Sequence, residues 1–219
     1  EICALDNYVR SPAAAYDGLY RLRAVRGGIF HVDDYLNEIG HLAVGIPGSL
    51  KAYQQCVAKY GRLAWSVVCA PAVRFARNGF EISALLADFI RGHERELARY
   101  PDSASVFLEQ GLPRNQGTRL IRTDYANTLQ GISEQGADLL YSGDLGRRVA
   151  EDMKQYGGLV TCEDLLEYEV CQREPVRTFY RDYEIVGMAP CTSGGIILAQ
   201  ALNLLEGFDV ASLGFGNPR

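Results

Sequence analysis

"PVRTFYRDYEIVGMAPCTSGGIILAQALNLLEG", residues 175–207, decides the fold class. Two β-rich runs flank Arg181-Asp182, the pattern of a hairpin. A Thr192-Ser193-Gly194-Gly195 turn then leads into a run holding Ile196, Ile197, Leu198, Ala201, Leu202, Leu204 and Leu205. At 3.6 residues per turn these side chains surround a helix on every side, so the pattern predicts burial all round, with Gly207 as the stop. Strands beside buried helices make the chain α+β or layered α/β.

The Thr-Ser-Gly-Gly turn admits three chemistries and one structural role. A phosphate-binding Walker loop needs GxxxxGK[ST], and no Lys follows here. A nucleophile elbow needs Gly two places before the Ser, where Cys191 stands. The helix start could still bind an anion or build an oxyanion hole. The structural role is a tight backbone turn that starts a packed helix, and the sequence favours it.

Moving outward, residues 2–15 read as a strand stopped by Pro12, whose ring fixes φ and biases Ser11 to extended geometry. Residues 21–40 carry no clear period. A short strand is expected to end near Ile46, Pro47-Gly48 turns the chain, and a helix follows with Leu50, Tyr53, Val57 and Tyr60 on one stripe until Gly61. Residues 63–79 predict two helices hinged at Pro71. Ser83 should cap a helix through Leu85, Leu86, Phe89 and Ile90, and residues 100–117, with two prolines and two glycines, read as surface loop. From Thr123 a helix places Leu129 and Ile132 inward and ends at Gly136. Another puts Leu145, Val149 and Met153 on one face and stops at Gly157-Gly158. Thr161 and Asp164 have capping-box spacing.

With 219 residues, 47% of them hydrophobic and 22% charged, the chain is ordinarily globular. Its net charge of −5 and its lack of a basic stripe set nucleic-acid binding aside. No apolar run reaches the roughly 18 residues that span a bilayer. The cysteines at 3, 56, 69, 162, 171 and 191 form no CxxC pair, and none has a His at metal-ligand spacing. They read as buried free thiols, and a zinc site has no support. The acidic pairs Asp33-Asp34, Glu94/Glu96 and Glu163-Asp164 read as solvated positions. His31, His41 and His93 assemble no evident Ser-His-Asp set.

Six segments together resemble the gamma-glutamyltransferase family in order and spacing. They are "SPAAA" (11–15), "HLAVGIPGSL" (41–50), "YGRLAWSVVCAPAVRFARNGF" (60–80), "TDYANTLQGISEQGADLLYSG" (123–143), "GGLVTCEDLLEYEV" (157–170) and "EPVRTFYRDYEIVGMAPCTSGGIILAQALNLLEGFD" (174–209). The resemblance is thinnest over residues 19–40 and 91–118. It implies an N-terminal nucleophile hydrolase, α+β, with a four-layer αββα sandwich matured by self-cleavage into two subunits. Residues 1–219 would then be one partial domain, most of the large subunit. The nucleophilic Thr would begin a small subunit beyond Arg219, so no catalytic residue is expected within the chain. That small subunit, from the same precursor, would be its partner in a heterodimer, and the substrate a gamma-glutamyl amide such as glutathione, with no metal or organic cofactor implied. Bacterial members are often exported, so the resemblance favours a periplasmic or secreted protein.

The family usually carries an Arg-Glu-x-Ala-Pro segment whose Arg clamps the substrate's α-carboxylate. The aligned residues here are Tyr8-Val9-Arg10-Ser11-Pro12, with Tyr8 at the Arg position. A phenol offers one hydroxyl and no charge. Arg10, two residues on, would share the face of Tyr8 in a strand and could supply the charge. Tyr8 and Arg10 are therefore the candidate substrate-binding residues. Three functions follow: gamma-glutamyl transfer, a related amide acylase taking glutaryl or other acyl groups, and a catalytically dead scaffold.

Overall fold

The computed structural model describes residues 2–22 and 32–216. Residues 23–31, including His31 and much of the stretch without clear period, lie outside the described residues. In chain order, strand β1 (Ala4–Asp6) precedes helices α1 (Ser49–Tyr60) and α2 (Trp65–Asn78). Strand β2 (Phe80–Glu81) leads to α3 (Ala84–Gly92), α4 (Glu94–Ala98) and α5 (Pro101–Phe107). After β3 (Leu108–Glu109), β4 (Leu112–Pro113) and β5 (Arg119–Leu120) come α6 (Thr123–Gln135), α7 (Asp138–Tyr141), α8 (Asp144–Tyr156) and α9 (Cys162–Leu166). Strands β6 (Cys171–Arg173), β7 (Val176–Tyr180) and β8 (Tyr183–Gly187) precede α10 (Gly194–Leu205). Among the described residues the strands form four antiparallel pairs, β1–β6, β2–β5, β3–β4 and β7–β8, so the class is α+β.

The chain divides into two compact units. The first comprises the described residues within Glu1–Val9, Pro47–Ala52 and Glu169–Arg219; the second, those within Arg10–Ile46 and Tyr53–Tyr168.

In the second unit α2 is one continuous helix that carries Pro71 inside it, not the two hinged helices predicted. A proline removes one ladder bond but need not end a helix whose two halves are held from outside. Here the Trp65 indole donates to the Ile132 carbonyl of α6 at 2.8 Å, and Val73 and Ala76 are buried further along. Gly79 ends α2 at φ 75°, and a Cβ there would stand 2.7 Å from Ile121 and 2.8 Å from the Leu120 carbonyl. Only glycine fits.

Ser83 caps α3 as predicted, its hydroxyl accepting from the Leu86 N–H at 3.2 Å. Ala87 and Ile90 thereby face Ile82, Leu108 and Leu120 in a buried cluster. Ser83→Ala should cost about 1 kcal/mol, the usual worth of an N-cap, read as a lower unfolding midpoint.

The expected loop over residues 100–117 is instead α5 and the β3–β4 hairpin. Pro101 lies in the first turn of α5, where its missing N–H costs nothing. Gln110 and Gly111 both have positive φ, which makes the two-residue turn that suits a hairpin. The prolines and glycines there start and turn elements; they do not dissolve them.

Thr161 and Asp164 form the predicted capping box on α9. The Asp164 Oδ2 accepts from the Thr161 N–H at 2.9 Å and the Thr161 hydroxyl at 2.8 Å. Its Oδ1 accepts from the Ala13 N–H at 2.8 Å, so one buried carboxylate also fixes the "SPAAA" segment. Burial alone would raise this carboxyl, but the Ala13 and Thr161 donors outweigh it and hold it below its ordinary value.

In the first unit α10 lies along the β7–β8 hairpin, with the Thr178 hydroxyl on Asn203 at 2.8 Å. The hairpin turn grips the far end of the helix. Arg181 sits at φ 56°, its N–H donates to the Glu206 carboxylate and its guanidinium to the Phe208 carbonyl at 2.7 Å. The all-round burial predicted for α10 does not hold. Gly195 is its buried residue, while Ile197 is 58% and Leu204 72% exposed. The hairpin covers one flank, and among the described residues the rest of this apolar surface stays open.

Candidate functional site

Strand β1 ends at Asp6, earlier than the predicted stop at Pro12. Arg10 makes instead a single two-bond bridge with Ile46, in place of the strand expected to end there. Tyr8 and Arg10 are therefore not same-face neighbours of one strand, and they fall in different units. Tyr8 is 58% exposed, and the Arg10 guanidinium stands 5.0 Å over the ring of buried Tyr168.

Three residues that the sequence did not single out converge in front of Tyr8. The Asp6 Oδ1 accepts from the Tyr8 N–H at 3.1 Å, and its Oδ2 accepts from Arg173 Nε at 2.6 Å. The Cys191 thiol lies close enough to this carboxylate to favour its charged form. Asp6 is 9% exposed, so its charge sits in a poorly solvated place, with the Tyr8 N–H and Arg173 donating to it. The Tyr8 N–H, then Arg173 and Cys191, outweigh burial and hold its carboxyl below the ordinary range. Next along the chain, Asn7 donates to the Ser49 hydroxyl at 3.1 Å.

One cue in the sequence pointed to Asp6. In a strand, residues two apart share a face, and Asp6 follows apolar Ala4 into the interior. An inward carboxylate demands a cation, but Arg173 lies 167 residues away, and no local pattern connects them.

Cys191 stands beside the Thr-Ser-Gly-Gly turn, which raises a cysteine nucleophile as an alternative. Desolvation, then the bond to Asp6 and its negative charge, push this thiol up from its ordinary value. A nucleophilic cysteine needs the opposite, an electropositive setting that favours thiolate. The turn serves packing: a Cβ on Gly195 would overlap the Met188 carbonyl oxygen, and one on Gly187 would lie 2.8 Å from the Gly195 Cα. All six cysteines are free, as expected, but none is buried, and Cys162 and Cys191 are exposed.

The second unit holds a His-Asp pair that the spacing did not suggest. His41 Nε2 stands 2.9 Å from the Asp152 carboxylate, and its ring stacks on Tyr156 at 4.9 Å, in a cleft of about 720 Å³. Among the described residues no hydroxyl is hydrogen-bonded to this imidazole, so the pair lacks the nucleophile that a triad requires. Among the described residues no group of three or more His, Cys, Asp or Glu could hold a metal ion, and no helix is long and apolar enough to cross a membrane.

The comparisons with known proteins fit this architecture. The acylase ACY 1 proenzyme of Pseudomonas sp. (strain SE83) is 39% identical over 97% of this chain, which spans 38% of that protein. The glutathione hydrolase proenzyme of Escherichia coli (strain K12) is 37% identical over 81% of this chain and 31% of its own length. The chain thus spans less than two-fifths of the curated relatives it matches. The crystal structure of Helicobacter pylori gamma-glutamyltranspeptidase superposes with a TM-score of 0.90 at 34% identity, covering 99% of this chain and 61% of that one. That likeness gives the α+β fold of an N-terminal nucleophile hydrolase. The family model described as gamma-glutamyltranspeptidase matches residues 2–219, and the chain belongs to that family.

Proposed function

We propose that the polypeptide carrying this chain transfers an acyl group from an amide to water or to an amino-acid or peptide acceptor, with gamma-glutamyl amides such as glutathione as its donors. The family match over residues 2–219 carries this reading. Residues 1–219 act as one partial domain of the large subunit. The nucleophile is the new amino-terminal Thr of a small subunit released by self-cleavage beyond Arg219, its free amine serving as base. No residue of this chain takes that part; the chain contributes the scaffold and one wall of the acyl pocket. The open apolar side of α10 is the kind of surface that a second subunit covers.

Tyr8 favours a second reading, an amide acylase on the same scaffold. An uncharged phenol where the family has a carboxylate-binding Arg suits an acyl group without that carboxylate, such as pentanoyl, better than glutaryl, which keeps the carboxylate and lacks only the amino group; the acylase ACY 1 proenzymes are among the relatives. Arg10 supplies the missing charge only if its guanidinium leaves Tyr168, where it lies now.

Gamma-glutamyl, glutaryl and pentanoyl p-nitroanilides, assayed on the full-length protein beside a denaturing gel, separate the readings. Two bands with gamma-glutamyl release support the first, and two bands with release from the other anilides alone support the second. A single uncleaved, inactive band leaves a scaffold. Tyr8→Arg should raise kcat/KM for the gamma-glutamyl anilide, relative to the pentanoyl one, about tenfold or more. One charge-assisted pair is worth about 1.5–3 kcal/mol.

A further inference from the structure

We infer that Asp6 is the positioning residue for the acyl pocket: it holds the main chain of Tyr8, and Arg173 holds Asp6 in turn. This rests on the reading above, in which Tyr8 faces the acyl group.

Tyr8 lies two residues beyond the end of β1. Its N–H is bound by the Asp6 carboxylate, which reaches back along the chain as a local clamp. A carboxylate that aims one oxygen at Tyr8 needs its other oxygen fixed, and Arg173 does this from β6 at 2.6 Å. Asp6 and Arg173 lie on neighbouring strands, Asp6 paired with Cys171 and Ala4 with Arg173, so the sheet register itself delivers the guanidinium. The Cys191 thiol, in the loop before α10, also favours the charged carboxylate. Three separated stretches of the first unit thus meet on one side chain. Their common output is the place of residue 8.

The inference predicts a specific kinetic signature. Asp6 touches no reacting atom, so its loss should weaken substrate binding and leave the attacking group alone. In the full-length protein, Asp6→Asn should raise KM for the best anilide substrate about tenfold while kcat changes less than about threefold. Because Asp6 acts through residue 8, Asp6→Asn added to Tyr8→Ala should raise KM no further than Tyr8→Ala does. Hydrogen exchange at the Tyr8 amide should quicken about tenfold in Asp6→Asn, and Asp6→Glu should restore part of the loss.

A KM unchanged by Asp6→Asn in a processed, active enzyme would overturn the assignment of Asp6 alone, as would additive effects in the double variant. Failure of the wild type to release any of the three acyl groups would sink the functional reading, and this inference with it. Should Asp6→Asn fail to mature into two bands, Arg173→Lys carries the same test. It keeps the charge and loses the directed Nε bond. The expected result is a raised KM with little change in kcat, and an unchanged KM overturns the inference.

Discussion

Asp164→Ala should destabilise the protein by about 3–4 kcal/mol, read as a lower denaturant midpoint of the full-length polypeptide. The substitution removes the side-chain half of the α9 capping box, while the Thr161 hydroxyl still accepts from the N–H of residue 164. It also leaves the Ala13 and Thr161 N–H groups without their acceptor, at about 1–3 kcal/mol for each that stays dry. Asp164→Asn keeps one acceptor oxygen and should lose about half as much. The difference between wild type and Asp164→Asn should depend on pH in a defined sense. The folded carboxyl lies below its ordinary 3.8, so its contribution is fully present above that value and fades as pH falls through the lower folded one. The two proteins should converge in acid. A difference constant from pH 7 to pH 2 would show that the charge of Asp164 contributes nothing.

Gly195→Ala is expected to cost about 2–3 kcal/mol, the scale of forced overpacking. The added methyl would overlap the Met188 carbonyl oxygen and lie 3.2 Å from the Met188 nitrogen, and backbone atoms cannot rotate away. Helix α10 would have to lift off the end of β8. Gly194→Ala is the matched control, because a Cβ there meets nothing within 4 Å. It should be neutral or mildly stabilising, since alanine suits a helix better than glycine. Equal effects at the two positions would refute close packing as the reason for the Gly-Gly pair.

What the sequence made legible was local. Ser83, the Thr161–Asp164 box and the Arg181-Asp182 turn were each readable because a cap or turn needs only residues within three or four positions. Errors came where a local pattern has two physical outcomes. Proline within residues 63–79 suggested a hinge, yet contacts of Trp65, Val73 and Ala76 carry α2 through it. Gln110-Gly111 and Pro101 looked like loop formers until strand pairing and helix register gave them set places. The apolar coat of α10 was visible from its residues, but periodicity does not tell which body covers a face, and the described residues cover only one flank. As for the candidate site, family motifs pointed to Tyr8, whereas its support did not show. Asp6, Arg173 and Cys191 meet across 167 and 185 positions, and such a meeting is a property of the fold.

The clamp on residue 8 closes on a peptide N–H, a group that every amino acid except proline presents in the same place. This main-chain bond does not depend on which side chain residue 8 carries. A lineage can exchange arginine for tyrosine, or either for another residue, without renegotiating the frame that presents it. On the proposal that residue 8 meets the acyl group, replacing that one side chain changes substrate preference while the clamp stays in place, and proline is the substitution that removes the clamp.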